Sequence, residues 1–238
     1  MRRRLIRRIS GWMKFFNTLR KWAQLGGRVN VLRPIVSEFN EGAGVVGGHY
    51  FHQDLVVAKL IHEHNPVRHV DIGSRIDGFV AHVASFRKIE IIDIRELEDS
   101  VHTNIVFTRA DLMLPLDLGV VDSLSCLHAL EHFGLGRYGD PVDPHGHESG
   151  LSNMVNAVAS GGRFYVSFPI SFTPRVEFNA HRVLHPEWIL EQPCVSKALK
   201  LARFDFVNDR GQLSHDSSIG DLPRNLRYGC GIYTFEKI

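Results

Sequence analysis

Residues 126–148 read CLHALEHFGLGRYGDPVDPHGHE, a stretch dense in histidine, carboxylate and glycine. His128, Glu131 and His132 spell H-x-x-E-H. On a helix that spacing sets two imidazoles on one face around a zinc ion, with the glutamate as base. The context opposes this reading. His128 directly follows an apolar, strand-like run, and Gly134, Gly136 and Gly139 come soon after. At most about two turns of helix fit there. Downstream, Glu187 and Glu191 fall in an ordinary helical pattern and signal no third ligand. No metal ligand set is expected. What remains is a group of side chains suited to proton transfer at the end of a strand.

Other carboxylates also stand where apolar runs end. Asp71-Ile72-Gly73-Ser74-Arg75, Asp93-Ile94-Arg95 and Asp111-Leu112 each close a strand-like segment. In an open α/β sheet, ligands bind at those ends. Gly73 supplies a turn where a ligand can approach the backbone. Asp93 lies twenty residues on and could accept from both hydroxyls of a ribose, and Asp111 could accept from an adenine amine. Two nucleoside cofactors compete. A dinucleotide turn reads G-x-G-x-x-G, its second glycine admitting the pyrophosphate. Here the frame is Gly73-Ser-Arg75-Ile-Asp-Gly78, and Arg75 would crowd a pyrophosphate. S-adenosylmethionine carries no phosphate. It needs a glycine turn, a ribose acid and acidic surroundings for its sulfonium.

These residues need a scaffold, and the hydrophobic rhythm describes one. A helical pattern over 49–63 stops at Asn65-Pro66. VRHVDIGS, KIEIIDI, NIVFTRAD, VVDSLSCL and RFYVSFPI then read as five strands. GFVAHVASF and ESGLSNMVNAVASGG read as helices between them, and HPEWILEQ begins another. LARFDFVND and YGCGIYTFEKI read as two last strands with no helical pattern between them. Alternating strands and helices imply right-handed crossovers and a mostly parallel sheet, closed by an antiparallel pair. The expected fold is α/β and Rossmann-like, with seven strands, helices on both faces and an antiparallel last strand.

The order HVDIGS, IEIIDI, TRADL, DSLSCLHALEH, VASGGRFYVSFP, HRVLHPEWIL resembles the class I S-adenosylmethionine-dependent methyltransferases, over about residues 50–238. More narrowly, CLHALEHFGLGRYGDPVDPHG is similar to an uncharacterised methyltransferase-like family associated with bacterial surface-polysaccharide gene clusters. The resemblance implies S-adenosylmethionine as cofactor. Asp71, Gly73 and Ser74 would line its methionine part, Asp93 with Ile94 the ribose side, Asp111 and Leu112 the adenine, and His128 the exit of the fourth strand. The family's turn usually reads G-x-G-x-G, whereas Arg75 and Asp77 stand at its second and third glycines. Three consequences stay open: Arg75 swings outward, it clamps the cofactor's carboxylate, or the pocket no longer binds cofactor.

Methyl transfer from a sulfonium is an in-line displacement, so the enzyme mainly positions the acceptor. A hydroxyl or amine acceptor also needs a base. His132 is the candidate, with Glu131 orienting it or acting itself, and Asp143 as a further acid. GRYGDPVDPHGHE would form a rigid lid, since Asp140-Pro141 and Asp143-Pro144 favour turns. Arg137, Tyr138 and His145 offer hydrogen bonds suited to a sugar. His181 and Arg182 either reach the acceptor or merely precede a helix. The implied function is methylation of a small molecule, such as a sugar or glycolipid intermediate of cell-surface polysaccharide. The alternatives are a non-catalytic interaction module and a metal-dependent hydrolase.

Residues 1–33 hold ten Lys/Arg and no Asp/Glu. The rest hold 18 Lys/Arg, 28 less those ten, against 26 Asp/Glu, a net charge of −8. Leu5, Ile6, Ile9, Trp12, Met13, Phe16, Leu19 and Trp22 recur at helical spacing among the arginines. A basic amphipathic helix over 1–28 is expected, then a linker over 29–48 and the methyltransferase-like domain over 49–238. Through residues 1–24 the helix suits an anionic membrane surface or a docking partner. An acidic body disfavours nucleic acid. There is no apolar run long enough to span a bilayer and no secretory pattern. Three scattered cysteines, Cys126, Cys194 and Cys230, form no disulfide framework. They point to the cytoplasm, with peripheral attachment at the inner membrane face. Cys126 and Cys230 read as buried small hydrophobes.

Overall fold

A computed structural model describes residues 2–98 and 100–238. Two compact units emerge, Met1–Val46 and Gly47–Ile238. In the first, α1 (Arg2–Gln24) is the expected basic helix. Leu5 and Ile6 of its apolar stripe lie outside the residues whose side chains are described. Ile9, Trp12, Met13, Phe16 and Trp22 are exposed. Trp12 stacks on Phe16 at 5.7 Å and meets Phe15 edge-on at 5.9 Å.

The second unit opens with α2 (His49–His64), ended by Asn65 in a left-handed conformation ahead of Pro66. Next come β1 (His69–Ile72), a helical turn at Ile76–Val80 running into α3 (Ala81–Ala84), β2 (Ile89–Asp93), β3 (Ile105–Arg109) and β4 (Val121–Leu127). They are followed by α4 (Gly146–Ala157), β5 (Val158–Ile170), β6 (Arg175–Glu177), β7 (His181–Val183), α5 (Trp188–Glu191), α6 (Pro193–Ala198), β8 (Leu199–Val207), β9 (Leu213–Ser214) and β10 (Gly229–Lys237).

The main sheet runs β3-β2-β1-β4-β5-β10-β8-β9. β1 to β5 pair in parallel, and β10 inserts antiparallel between β5 and β8. The sheet therefore has eight strands, not seven. The extra one, β9, is two residues long and pairs with the end of β8, too short for any sequence rhythm to announce. A separate hairpin, β6–β7, was also not expected.

β1 is buried along its whole length, as a central strand covered on both faces must be. One apolar layer joins the sheet to α4, α5 and α6 through Leu151, Met154, Val155, Ile189 and Val195. The other joins it to α2 and α3 through Val57, Ile61, Phe79, Val80 and Val83. Strand order reverses between β1 and β4, where β1 is flanked by β2 on one side and β4 on the other. The crevice outside their carboxyl ends is the place for a ligand.

Candidate active site

Gly73 follows β1 at φ +69° and donates its N–H to Ile92 O at 2.9 Å. A Cβ there would meet Ala129 Cβ at 3.0 Å and stand 3.9 Å from Asp93 Oδ2. The turn thus needs glycine for its dihedral and for its clearance.

Asp71 lies beneath this turn and is fully buried. It accepts from Ser74 N at 3.1 Å, Ser74 Oγ at 2.7 Å and Ser125 Oγ at 2.5 Å. Register explains the last contact, since Asp71 pairs with Ser125 across β1–β4. Burial pushes the Asp71 carboxyl up to about 7, against the pull of those hydrogen bonds. Ser74 in turn accepts from Leu127 N at 3.1 Å. Asp71 and Ser74 are therefore absent from the lining of the cleft, contrary to expectation. Their polar atoms are spent on bracing the turn from below. Arg75 is also outside the cleft. Its side chain pairs with exposed Asp77 at 3.1 Å and lies over the Tyr50 ring at 4.9 Å.

Above Gly73 opens a cleft of about 530 Å³, a volume that includes space open to solvent. That is within the range of small-molecule sites, about 300–1,000 Å³. Ile72, Ile92, Leu112 and Phe133 contribute apolar surface, and Gly73, Asp93, Ile94, Asp111, His128 and His132 also line it. Asp93 is gripped by its neighbour but one. Arg95 donates to it from Nε at 2.9 Å, from a terminal nitrogen at 2.5 Å and from the backbone at 2.8 Å. The same guanidinium lies 4.4 Å over the Tyr138 ring, and Arg137 lies 5.1 Å from that ring. Asp111 accepts from Met113 N at 2.9 Å through one oxygen, Oδ1.

At the exit of β4 the chain makes a single 3-10 turn, Leu130–His132, rather than an α-helix. His128 has φ +50°, unusual for a side-chain-bearing residue and costing of order 1 kcal/mol or more. Its Nδ1 lies 2.9 Å from Glu131 Oε1, and His132 Nε2 lies 3.8 Å from the same oxygen. Burial works against the Glu131 charge, but the His128 ring outweighs it and holds the carboxyl below its ordinary value. Burial also disfavours charge on His128. Cys230 and Glu131 overcome that and raise it well above the usual histidine range. His132 is turned the other way, and burial lowers it. Its Nδ1 lies 2.7 Å from Ala180 O, an acceptor only, so Nδ1 carries the hydrogen and Nε2 is left as the basic nitrogen. The zinc-protease reading of H-x-x-E-H therefore fails: His128 lies outside the short turn Leu130–His132, so the two imidazoles share no helical face.

The loop after this turn is built on hydrogen bonds. Asp140 accepts from the backbone N–H groups of Gly134, Gly136 and Tyr138. Gly134, at φ +76°, packs so tightly on Asp143 that a Cβ would collide with the Asp143 carbonyl oxygen. Asp143 accepts from His145 N at 2.8 Å and, unlike Asp140, is not in the cleft lining. As a turn cap it does not stand where an acid–base residue would. His145 is exposed and pairs with Glu148 at 3.1 Å, also away from the cleft. Arg182 is buried and donates to the carbonyls of Glu131, Phe133 and Pro144, at 3.3, 2.6 and 3.2 Å. Arg182 thus holds the loop, while Tyr138 lines the cleft. Arg137 donates to Ala180 O at 2.8 Å, and His181 sits 6.3 Å from the His132 ring.

The sequence reading assigned no role to Arg95, although it follows a strand-end acid by two residues, a spacing that permits a bidentate pair. It also missed Ala180, a carbonyl whose position depends wholly on the β6–β7 hairpin. His49 and Cys230, which approach His128 from opposite ends of the chain, carry no local signal at all.

A family model described as "Caenorhabditis protein of unknown function, DUF268" matches residues 118–189, from just before β4 to the start of α5. No curated protein matches. Several solved structures share the fold. The [4+2]-cyclase SpnF is similar at a TM-score of 0.55 and 13% identity, over 95% of each chain. The N-methyltransferase NodS of Bradyrhizobium japonicum WM9, in complex with S-adenosyl-l-homocysteine, is similar at 0.52 and 14%, over 79% of this chain and 87% of that one. The glycopeptide N-methyltransferase MtfA, complexed with sinefungin, is similar at 0.52 and 8%, over 83% and 89%. The fold is that of the class I S-adenosylmethionine-dependent methyltransferases. A cyclase among these structures illustrates that such a fold does not by itself set the reaction.

Proposed function

We propose that this chain is an S-adenosylmethionine-dependent methyltransferase acting on a small molecule. The observation that carries this reading is the pairing of the Gly73 turn with the Asp93 carboxylate at the mouth of an apolar-floored cleft. The donor set suits a nucleoside without phosphate. Carboxylates stand at Asp93 and Asp111, and the arginine that lines the cleft with them, Arg95, is neutralised by Asp93. Gly73, Asp93, Ile94, Asp111 and Leu112 would hold the cofactor. Bound there, S-adenosylmethionine supplies an electrophilic methyl group.

The chain's own part is to orient the acceptor and take its proton. His132 is suited to this role: Ala180 O holds its ring and tautomer, leaving Nε2 as the base. Tyr138, edged by Arg95 and Arg137, would roof the cleft and exclude water. The acceptor class is a hydroxyl- or amine-bearing molecule, such as a sugar or glycolipid intermediate of cell-surface polysaccharide. The basic helix α1, with Ile9, Met13 and Phe16 exposed, would attach the enzyme to the anionic inner face of a membrane. No helix among the described residues is long and apolar enough to cross one.

Calorimetry with S-adenosylhomocysteine tests the proposal. Binding that is lost in Asp93→Ala supports it, and no binding at millimolar ligand overturns it. The Arg95 grip on Asp93 favours a second reading, a non-catalytic interaction module, which the same titration separates from the first.

A further inference from the structure

Three residues far apart in sequence meet beneath the β4 exit. His49 is the first residue of α2, His128 follows β4, and Cys230 is the second residue of β10. One ligand-type atom from each lies within 4.8 Å of the others. His128 and Cys230 are buried, and His49 is partly covered. No local pattern brings them together, because the convergence depends on β10 inserting beside β5 and on α2 crossing that face.

The surroundings are left incomplete. His128 Nε2 is buried and has no hydrogen-bond partner. Glu131 Oε2 is buried and has none either. A buried polar atom without a partner costs about 1–3 kcal/mol, so the unpartnered His128 nitrogen points to a missing group. His128 also holds its left-handed backbone there. Its other nitrogen faces Glu131 at 2.9 Å. That carboxylate–imidazole pair orients a metal-binding histidine, fixing Nδ1 as the donor and directing the Nε2 lone pair outward. The His49 ring is packed between those of His128 and Tyr228, each at 5.2 Å.

We propose that His49, His128 and Cys230 form a binding site for a divalent transition metal, with zinc the best match. Two imidazoles and one thiolate are the donor set zinc prefers, and bond lengths of about 2.0–2.3 Å put tetrahedral ligand atoms roughly 3.3–3.7 Å apart. The ligand atoms lie within 4.8 Å of one another, so reaching that spacing takes a shift of roughly 1 Å together with rotation of the His49 ring out of its stack on His128. His49, at a helix start behind Gly48, is the ligand placed to move. Binding replaces protons: the Cys230 thiol gives up its hydrogen, any proton on His128 Nε2 leaves, and both pass to solvent as the ion enters. The ion then balances the thiolate and the buried Glu131. Three protein ligands leave a fourth position for water. The metal would tie the start of α2 and the start of β10 to the end of β4, fixing His128 at the edge of the cleft.

The test uses the full chain, freed of any affinity tag and stripped with chelator. Cobalt(II) alone is titrated in. The expected result is a thiolate-to-cobalt charge-transfer band with visible bands of tetrahedral intensity, saturating at one equivalent. Protein purified without chelator should carry about one zinc per chain. Cys230→Ser should abolish the charge-transfer band, and His49→Ala, at a partly exposed position, should weaken cobalt binding at least tenfold. His145→Ala, at an exposed histidine outside the cluster, should leave it unchanged. A wild-type titration without the thiolate band overturns the proposal whatever the variants do. So does zinc retained equally by folded Cys230→Ser and His49→Ala, which would mark adventitious surface binding.

Discussion

His132 Nδ1 lies 2.7 Å from the carbonyl oxygen of Ala180, a residue 48 positions away in the turn of the β6–β7 hairpin. The carbonyl can only accept, so the contact selects one tautomer and leaves Nε2 basic. Burial lowers the His132 pKa, so the ring is already neutral at pH 7. For methylation of a hydroxyl or amine, kcat should therefore be flat through neutrality. It should fall only below the ordinary histidine range of about 6.5, as Nε2 takes a proton. His132→Gln should lower kcat by about 10²–10⁴ and remove that limb. Cofactor affinity, read by calorimetry, should stay within twofold.

The Arg95 guanidinium covers the carboxylate proposed to hold a ribose. A ligand must share or displace it. Arg95→Ala should then tighten S-adenosylhomocysteine binding, by up to about fivefold, since an ion pair whose arginine is half-exposed is worth about 1 kcal/mol. Calorimetry beside the wild type reads this directly. Unchanged or weaker binding would mean that Arg95 helps to form the site by holding Tyr138.

Arg182 is the buried clamp of the loop, donating to three carbonyls that have few alternatives. Arg182→Met keeps most of the volume and removes every donor. The expected loss is about 2–4 kcal/mol of stability, seen as a lower urea midpoint. Amide exchange should quicken first in residues 133–146, which the clamp holds against the β4 turn.

Burial lowers His147, stacked on Trp188 at 5.3 Å, to about 4. The unfolded chain has its ordinary value of about 6.5. Between those values the unfolded state takes up a proton that the folded state refuses, so stability falls as pH drops through that window. His147→Phe keeps the stack and removes the titration. The loss of stability between pH 7 and pH 5, read from urea midpoints, should shrink by up to about 2 kcal/mol. Asp71, raised to about 7, acts in the opposite sense: its contribution is present at low pH and is lost as pH rises from about 4 to 7.

The order of elements was legible in the sequence, because strand and helix periodicity are local properties of the chain. So were the strand-end acids and the Gly73 turn, since a strand's last residues and a left-handed glycine are also local. The β4 exit loop was read correctly as a loop because its glycines leave no room for a helix. The roles of its charged groups were not legible. Whether Asp71 faces a cleft or the protein interior depends on which serine β4 sets beside it. Whether Arg182 meets a ligand or a backbone carbonyl depends on where the β6–β7 hairpin folds back. The Arg95 pair with Asp93 is the exception, a local contact between residues two apart. His49, His128 and Cys230 meet only because β10 inserts antiparallel beside β5, and no window of sequence spans all three. Local pattern determined the scaffold and the position of the crevice. Tertiary packing decided which polar groups remain free to act, because each buried donor or acceptor takes the nearest partner that the fold brings to it.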